Sequence, residues 1–255
     1  MNACSAFCVG TALLVASPLV RADATAPTLS ANVALTSEYL FRGIAQTNGK
    51  PALQGGFDLA HASGFYAGSW ASSISWLSDG NADVSASLEW DLYAGYTGSL
   101  GNAGLSYDVG ALLYLYPGDY PTGMPRPNTT ELYLKLNWGG WSLGYSSNVS
   151  RHLFGATTPS GSDTRGSGYT DLTYIYDFGH GWDASAHVGY QDVRGFAAAS
   201  YADFLLGVGK SLPWGRLGVS VVGSTANGDV GEPYRSALDR DLGKTRVVVD
   251  FSRSL

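Results

Sequence analysis

Three polar residues near the middle of the chain, His180, Asp183 and His187, have the chemistry of metal ligands. His180 stands in a turn between Gly179 and Gly181, while Asp183 and His187 share one face of the stretch WDASAHVGY, Trp182 to Tyr190. Four residues of extended chain span roughly 13 Å, too far for one strand to close around an ion. His187 is also a candidate base for a serine on a neighbouring strand, provided a third polar group orients its ring. Ser and Thr recur throughout the chain, so their presence alone does not select this reading. GVGKS, Gly207 to Ser211, resembles the tail of a phosphate-binding loop, but the full pattern needs glycine at the position of Phe204 and a helix to follow. Lys210 is better read as a cation snorkelling at a strand end. These spacings favour polar lining over catalysis, and they imply no metal and no cofactor.

The elements that must carry these residues are strands. Past the first two dozen residues, no useful stretch has a helical period; alternation recurs in about twelve blocks of roughly nine to twelve residues, near the length of a tilted strand crossing a bilayer. ELYLKLNW sets Leu132, Leu134, Leu136 and Trp138 against Glu131, Tyr133, Lys135 and Asn137. ANVALTSEYLF sets Val33, Leu35, Tyr39 and Phe41 against Asn32, Thr36 and Glu38. Trp138, Trp141, Tyr176, Phe178, Trp182 and Trp214 flank short turns, as an aromatic girdle requires. The short turns alternate with long polar loops rich in Gly and Pro. This is the pattern of an all-β, antiparallel, up-and-down transmembrane barrel of about twelve strands. A soluble sandwich or lipocalin-like barrel also alternates, but carries Lys and Glu rather than aromatic rings on its outer face.

Parity then assigns the inner face. The acids expected there are Glu38, Asp58, Glu89, Asp91, Asp108, Glu131, Asp171, Asp183, Asp203 and Asp250; the bases are Arg42, Lys135, Arg216, Lys244 and Arg246, and His187 joins them. In SEYLFRG, Ser37 to Gly43, the same parity sends Tyr39 and Phe41 to lipid and Glu38 and Arg42 inward. Glu38 and Arg42 are too far apart along a strand to pair. Arg42 is therefore expected to meet a carboxylate of the strand carrying Asp58, or Asp250 across the closure.

Composition agrees. Charged residues are 14% of the 255, the net charge is −6, and no basic run exists, which excludes nucleic acid as a partner. Residues 1–24 read as a secretory signal with cleavage near Ala22 or Ala24, although no Lys or Arg precedes its apolar core. Residues 25–255 form the barrel. Cys4 and Cys8 both fall in the signal, so the mature chain has no disulfide, thiolate site or cysteine nucleophile.

Two stretches are more specific than a barrel pattern. VALTSEYLFRGIAQTNGKPALQGGFDLAHASGFYAGSWAS, Val33 to Ser73, and DLYAGYTG, Asp91 to Gly98, resemble the TorF-type porin family of bacteria, long catalogued without an assigned function. The resemblance is dense over the first 70 mature residues and thins afterwards. It implies an outer-membrane barrel with a transport role and supplies no catalytic residues. The final VVVDFSRSL departs from the usual aromatic ending, which bears on recognition by the barrel-insertion machinery.

The expected function is passive diffusion of small solutes, cations favoured, through a barrel in the bacterial outer membrane, with membrane lipids and the insertion machinery as its partners. The alternative is a closed structural or binding barrel whose long loops engage a partner. An outer-membrane lipid-modifying enzyme ranks third.

Overall fold

The computed structural model describes residues 27–255, so the signal and both cysteines lie outside the described residues. Fourteen strands follow: β1 Thr28–Thr36, β2 Leu40–Phe41, β3 Ile44–Ala45, β4 Ala52–Ala60, β5 Phe65–Ser73, β6 Leu88–Leu100, β7 Leu105–Leu115, β8 Thr129–Trp138, β9 Trp141–Asn148, β10 Gly168–Gly179, β11 Trp182–Asp192, β12 Tyr201–Leu212, β13 Gly215–Ser224 and β14 Arg246–Ser254. Twelve of them close into one antiparallel barrel, and β2 and β3 form a separate two-stranded hairpin. Closure is made by β1, which pairs Leu35 with Phe251 of β14 on one side and with Leu53 of β4 on the other. A closed sheet leaves no unpaired edge, the condition for a β structure to sit in hydrocarbon.

The two-residue period places the side chains. On β8, Leu132, Leu134 and Trp138 are exposed, whereas Glu131 and Tyr133 between them are buried. The same holds around the barrel, where Phe57, Val188, Leu206, Val219 and Val247 are all more than half exposed on the outside. A continuous apolar outer band of this size is the surface that a bilayer covers. Trp138, Trp141, Tyr176, Phe178, Trp182 and Trp214 are all exposed and border the short turns, and so form one aromatic rim.

Five short turns join β4 to β5, β6 to β7, β8 to β9, β10 to β11 and β12 to β13 at one end of the barrel, where the described chain also begins and ends. Six longer segments, 37–51, 74–87, 116–128, 149–167, 193–200 and 225–245, gather at the other end. The packed core lies there, inside the long-loop half. Tyr39, Ile74, Leu77, Val84, Leu112, Tyr114, Tyr116 and Tyr133 form its largest cluster, drawn from three loops and the inner faces of β7 and β8. Towards the short turns the inner side chains open out: Asp58, Thr97, Lys135, Asn137 and Ser142 are all partly exposed.

The first loop corrects the sequence reading. β1 stops at Thr36, and SEYLFRG is not the end of a membrane-crossing strand. It begins the β2–β3 hairpin, which folds into the barrel. Tyr39 is fully buried and Phe41 packs inside against Tyr114 and Phe154, so neither ring faces lipid.

Candidate functional site: a hairpin across an acidic lumen

Arg42 is the tip of the hairpin. It has a left-handed φ of 47°, and Gly43 after it has a φ of 75°. Two such residues in succession fit a two-residue turn of a tight hairpin. The tip also sits tightly on the wall, because a Cβ on Gly43 would lie 2.8 Å from both the Asp203 Cβ and the Gly223 carbonyl oxygen. Glycine is required there twice over, by conformation and by space.

The hairpin leaves the wall between β1 and β4 and reaches the far side. β9 is six strands from β1 in either direction, and Arg42 bonds to the strands on both sides of β9 and beyond. Its Nη1 and Nη2 donate to the two carboxylate oxygens of Glu131 on β8 at 3.0 and 2.7 Å, and Nη1 also donates to Gln191 on β11 at 2.7 Å. The guanidinium lies 4.1 Å over the ring of Tyr169 on β10. Arg42 is 6% exposed and Glu131 2%, so the forked pair is shielded from solvent. A planar guanidinium suits this double contact in a way that lysine does not. The expected partners, the strand of Asp58 or Asp250, are both superseded by Glu131. Once the stretch leaves the β1 direction, Arg42 no longer neighbours either of them.

Other hairpin contacts reach the remaining walls. Tyr39 Oη donates to Glu89 on β6 at 3.1 Å. Leu40 packs with Leu205, Val222 and Val248 on β12, β13 and β14. Glu38 meets Arg246 of β14 at 3.1 Å. At the base, the Gly49 amide donates to Glu38 at 2.7 Å, while Asn48 and Lys50 both bind Asp79 of the second loop. Burial pushes the Asp79 carboxyl up, but hydrogen bonds from Ser75, Asn48 and Lys50, with the Lys50 charge, outweigh it and hold its pKa below the ordinary aspartate value.

The wall around the hairpin is acidic. Asp58, Glu89, Asp91, Asp108, Glu131, Asp171, Asp183, Asp203 and Asp250 all stand on inner positions, as do Lys135, His187, Arg216 and Arg246. Arg216 bridges Asp183 at 2.8 Å and Asp250 at 3.7 Å. Lys244 departs from the expectation: it is exposed in the sixth loop, because β14 begins only at Arg246. Glu38 and Arg42 do face the interior, but from the hairpin and not from a strand. With the hairpin included, ten carboxylates face four Lys or Arg groups. Among the described residues, Asp58, Glu89, Asp91, Asp108 and Asp171 make no ion pair with Lys or Arg within 4.0 Å.

His187 has the neighbours that a base would need, although the hydroxyl is a threonine's and not a serine's. Nδ1 lies 2.8 Å from Thr173 Oγ1, and Nε2 lies 3.2 Å from Asp203 Oδ1 and 2.9 Å from Tyr169 Oη. Thr173 is 3% exposed and His187 6%, packed beneath Tyr169, so the group offers a substrate no approach. Its geometry supports the ring on which Arg42 rests. Among the described residues no cluster of three His, Cys, Asp or Glu has the arrangement to hold a metal ion. Asp183 contacts Arg216 instead, and His180 sits in an exposed turn with a φ of 52°. Lys210 is on the outer face, over the Trp182 ring at 4.8 Å and donating to the His180 carbonyl at 2.7 Å.

Gln191 and Tyr169 were not singled out from sequence. Both sit on the inner parity of their strands, and Gln191 lies four residues beyond His187 on the same face, so the parity was readable although the partner was not.

The fold is shared with solved outer-membrane proteins. A KdgM porin superimposes with a TM-score of 0.53 at 10% identity over 88% of this chain and 97% of that one. A NanC porin gives 0.53 at 9% identity, covering 88% and 98%. A KdgM porin in complex with disordered oligogalacturonate gives 0.52 at 12%, covering 89% and 98%. At such identities the likeness concerns the barrel alone. No curated protein matches the chain by sequence. The model of one family matches residues 21–255, nearly the whole chain, and the protein belongs to that family, described as "Bacterial protein of unknown function (Gcw_chp)".

Proposed function

We propose that the protein is a porin-like channel of the bacterial outer membrane, passing small solutes by diffusion and favouring cations, with the β2–β3 hairpin as its constriction. The observation that carries this reading is the inner wall itself. Below the hairpin, Asp58, Lys135 and Asn137 are partly exposed on the inner face, and the ten inner acids against four bases leave a formal excess of six negative charges. A low-dielectric wall around a narrow aqueous path concentrates such a field and draws in cations. The porin-fold neighbours and the resemblance of Val33 to Ser73 to TorF-type porins support the transport role. The oligogalacturonate of one neighbour is a polyanion, which this wall does not suit. In this reading residues 1–24 direct export, the short turns face the periplasm and the long loops face outward. The barrel performs no chemistry: the buried state of Thr173 and His187 argues against a lipid-modifying enzyme.

One observation favours a second reading, a barrel closed at rest. The hairpin touches β6, β8, β11, β12, β13 and β14 at once and fills the middle of the long-loop half. Conductance of the purified protein in planar bilayers tests the two. Steps in the unmodified protein support the open channel. Steps seen only after the hairpin is released support the closed one, and none in either case overturns the channel.

A further inference from the structure

A second concavity lies on the other side of the hairpin. Its volume is about 440 Å³, within the range of small-molecule sites. The hairpin forms its floor through Phe41, Ile44 and Gln46, and each of the other five long loops supplies at least one wall residue. Its lining contains no Asp, Glu, Lys or Arg, in a protein whose lumen is crowded with carboxylates. The walls are instead ring faces and edges, among them Trp76, Phe154 and Phe196, with Trp76 and Tyr116 meeting edge to face at 5.8 Å between centres.

We propose that this cup is a binding site for a small neutral solute that has a ring with an apolar face. The uncharged lining selects against ions, because either sign would be desolvated there with no partner. The aromatic walls select a flat or ring-shaped body. The site faces the long-loop end, so a solute reaches it without entering the lumen. Binding in the cup does not depend on conduction through the lumen.

The test is calorimetric titration of the full barrel in lipid nanodiscs with phenyl β-glucoside, a neutral ring compound, and with phenyl β-glucuronide, its anionic counterpart. Empty nanodiscs correct for partition into lipid. Saturable binding of the glucoside, with the glucuronide at least tenfold weaker, is expected. Trp76→Ala removes one ring from the wall, and should weaken glucoside binding severalfold while leaving the heat-modifiable gel shift of the folded barrel intact. Absence of saturable glucoside binding, equal binding of the two compounds, or unchanged affinity in folded Trp76→Ala would each overturn the proposal.

Discussion

Arg42 and Glu131 are 89 residues apart in sequence and form a two-pronged ion pair across the barrel, at 3.0 and 2.7 Å. The pair fixes a hairpin that begins at the opposite wall. It ties loop to wall, since Glu131 belongs to the sheet while Arg42 belongs to the loop that crosses it. Tyr169, Gln191 and the His187–Asp203 contact beneath complete the seat.

Removing one partner strands a buried charge. Arg42→Ala should cost roughly 3–5 kcal/mol of unfolding free energy, more than an exposed lysine change. Arg42→Ala with Glu131→Gln should cost clearly less than the two single changes added together. Denaturant titration in a lipid mimic checks the cycle. Additive losses would mean that the two side chains do not interact.

Gly43 offers a way to disturb the seat without touching charge. A β-carbon there would press on Asp203 and the Gly223 carbonyl, and alanine disfavours the φ of 75°. Gly43→Ala should lift the tip and raise the mean conductance, with barrel folding preserved by gel shift. Conductance equal to that of the unmodified protein would show that the tip does not limit flow.

The outer face should respond as a lipid surface. Leu134, on the middle of β8, is 48% exposed, while Tyr133 beside it is 5% exposed and points inward. Leu134→Arg should cost about 2–4 kcal/mol, the range for a cation at the bilayer midplane. An arginine tolerated there without loss, measured by the same titration, would place position 134 away from the hydrocarbon.

Much of the barrel was legible because a strand writes its two faces as a two-residue period. Leu132, Leu134 and Trp138 against Glu131 and Lys135 is a local pattern, and the structure keeps it on β8. The hairpin was not legible for the same reason. SEYLFRG continues the alternation of β1 beyond Thr36, so period alone cannot say where the strand stops. What turns it inward is a set of contacts 50 to 149 residues away, from Tyr39 to Glu89 and from Arg42 to Gln191. The local sign was Arg42-Gly43, a turn signal inside the apparent strand. Lys244 was misplaced by extending the parity of β14 backward past Arg246, into a loop where parity has no meaning.

Acid should loosen the base of the hairpin. Asp79 holds Asn48 and Lys50, and its pKa is below the ordinary aspartate value. A depressed carboxyl contributes stability that is fully present above the unfolded value, near 3.9, and is lost as pH falls through the lower folded value. Amide exchange at Gly49 and Lys50, corrected for its intrinsic pH dependence, should therefore be flat from pH 8 to about 5 and speed up only below about 4. Asp79→Asn should show the faster exchange at neutral pH. A transition centred above pH 5 would assign the effect to another group.

The charge of the lumen is tested most directly by the reversal potential of the purified protein in a planar bilayer under a KCl gradient, for the unmodified barrel and for Arg42→Ala. Ten inner carboxylates against four bases predict K⁺ over Cl⁻ in whichever of the two conducts. The preference should be strongest at low salt and shrink towards 1 M, where the screening length falls from about 10 Å to about 3 Å. Arg42→Ala removes one of the four bases and should prefer cations at least as strongly. A Cl⁻ preference in either protein would contradict the electrostatic account, and silence in both would contradict the channel.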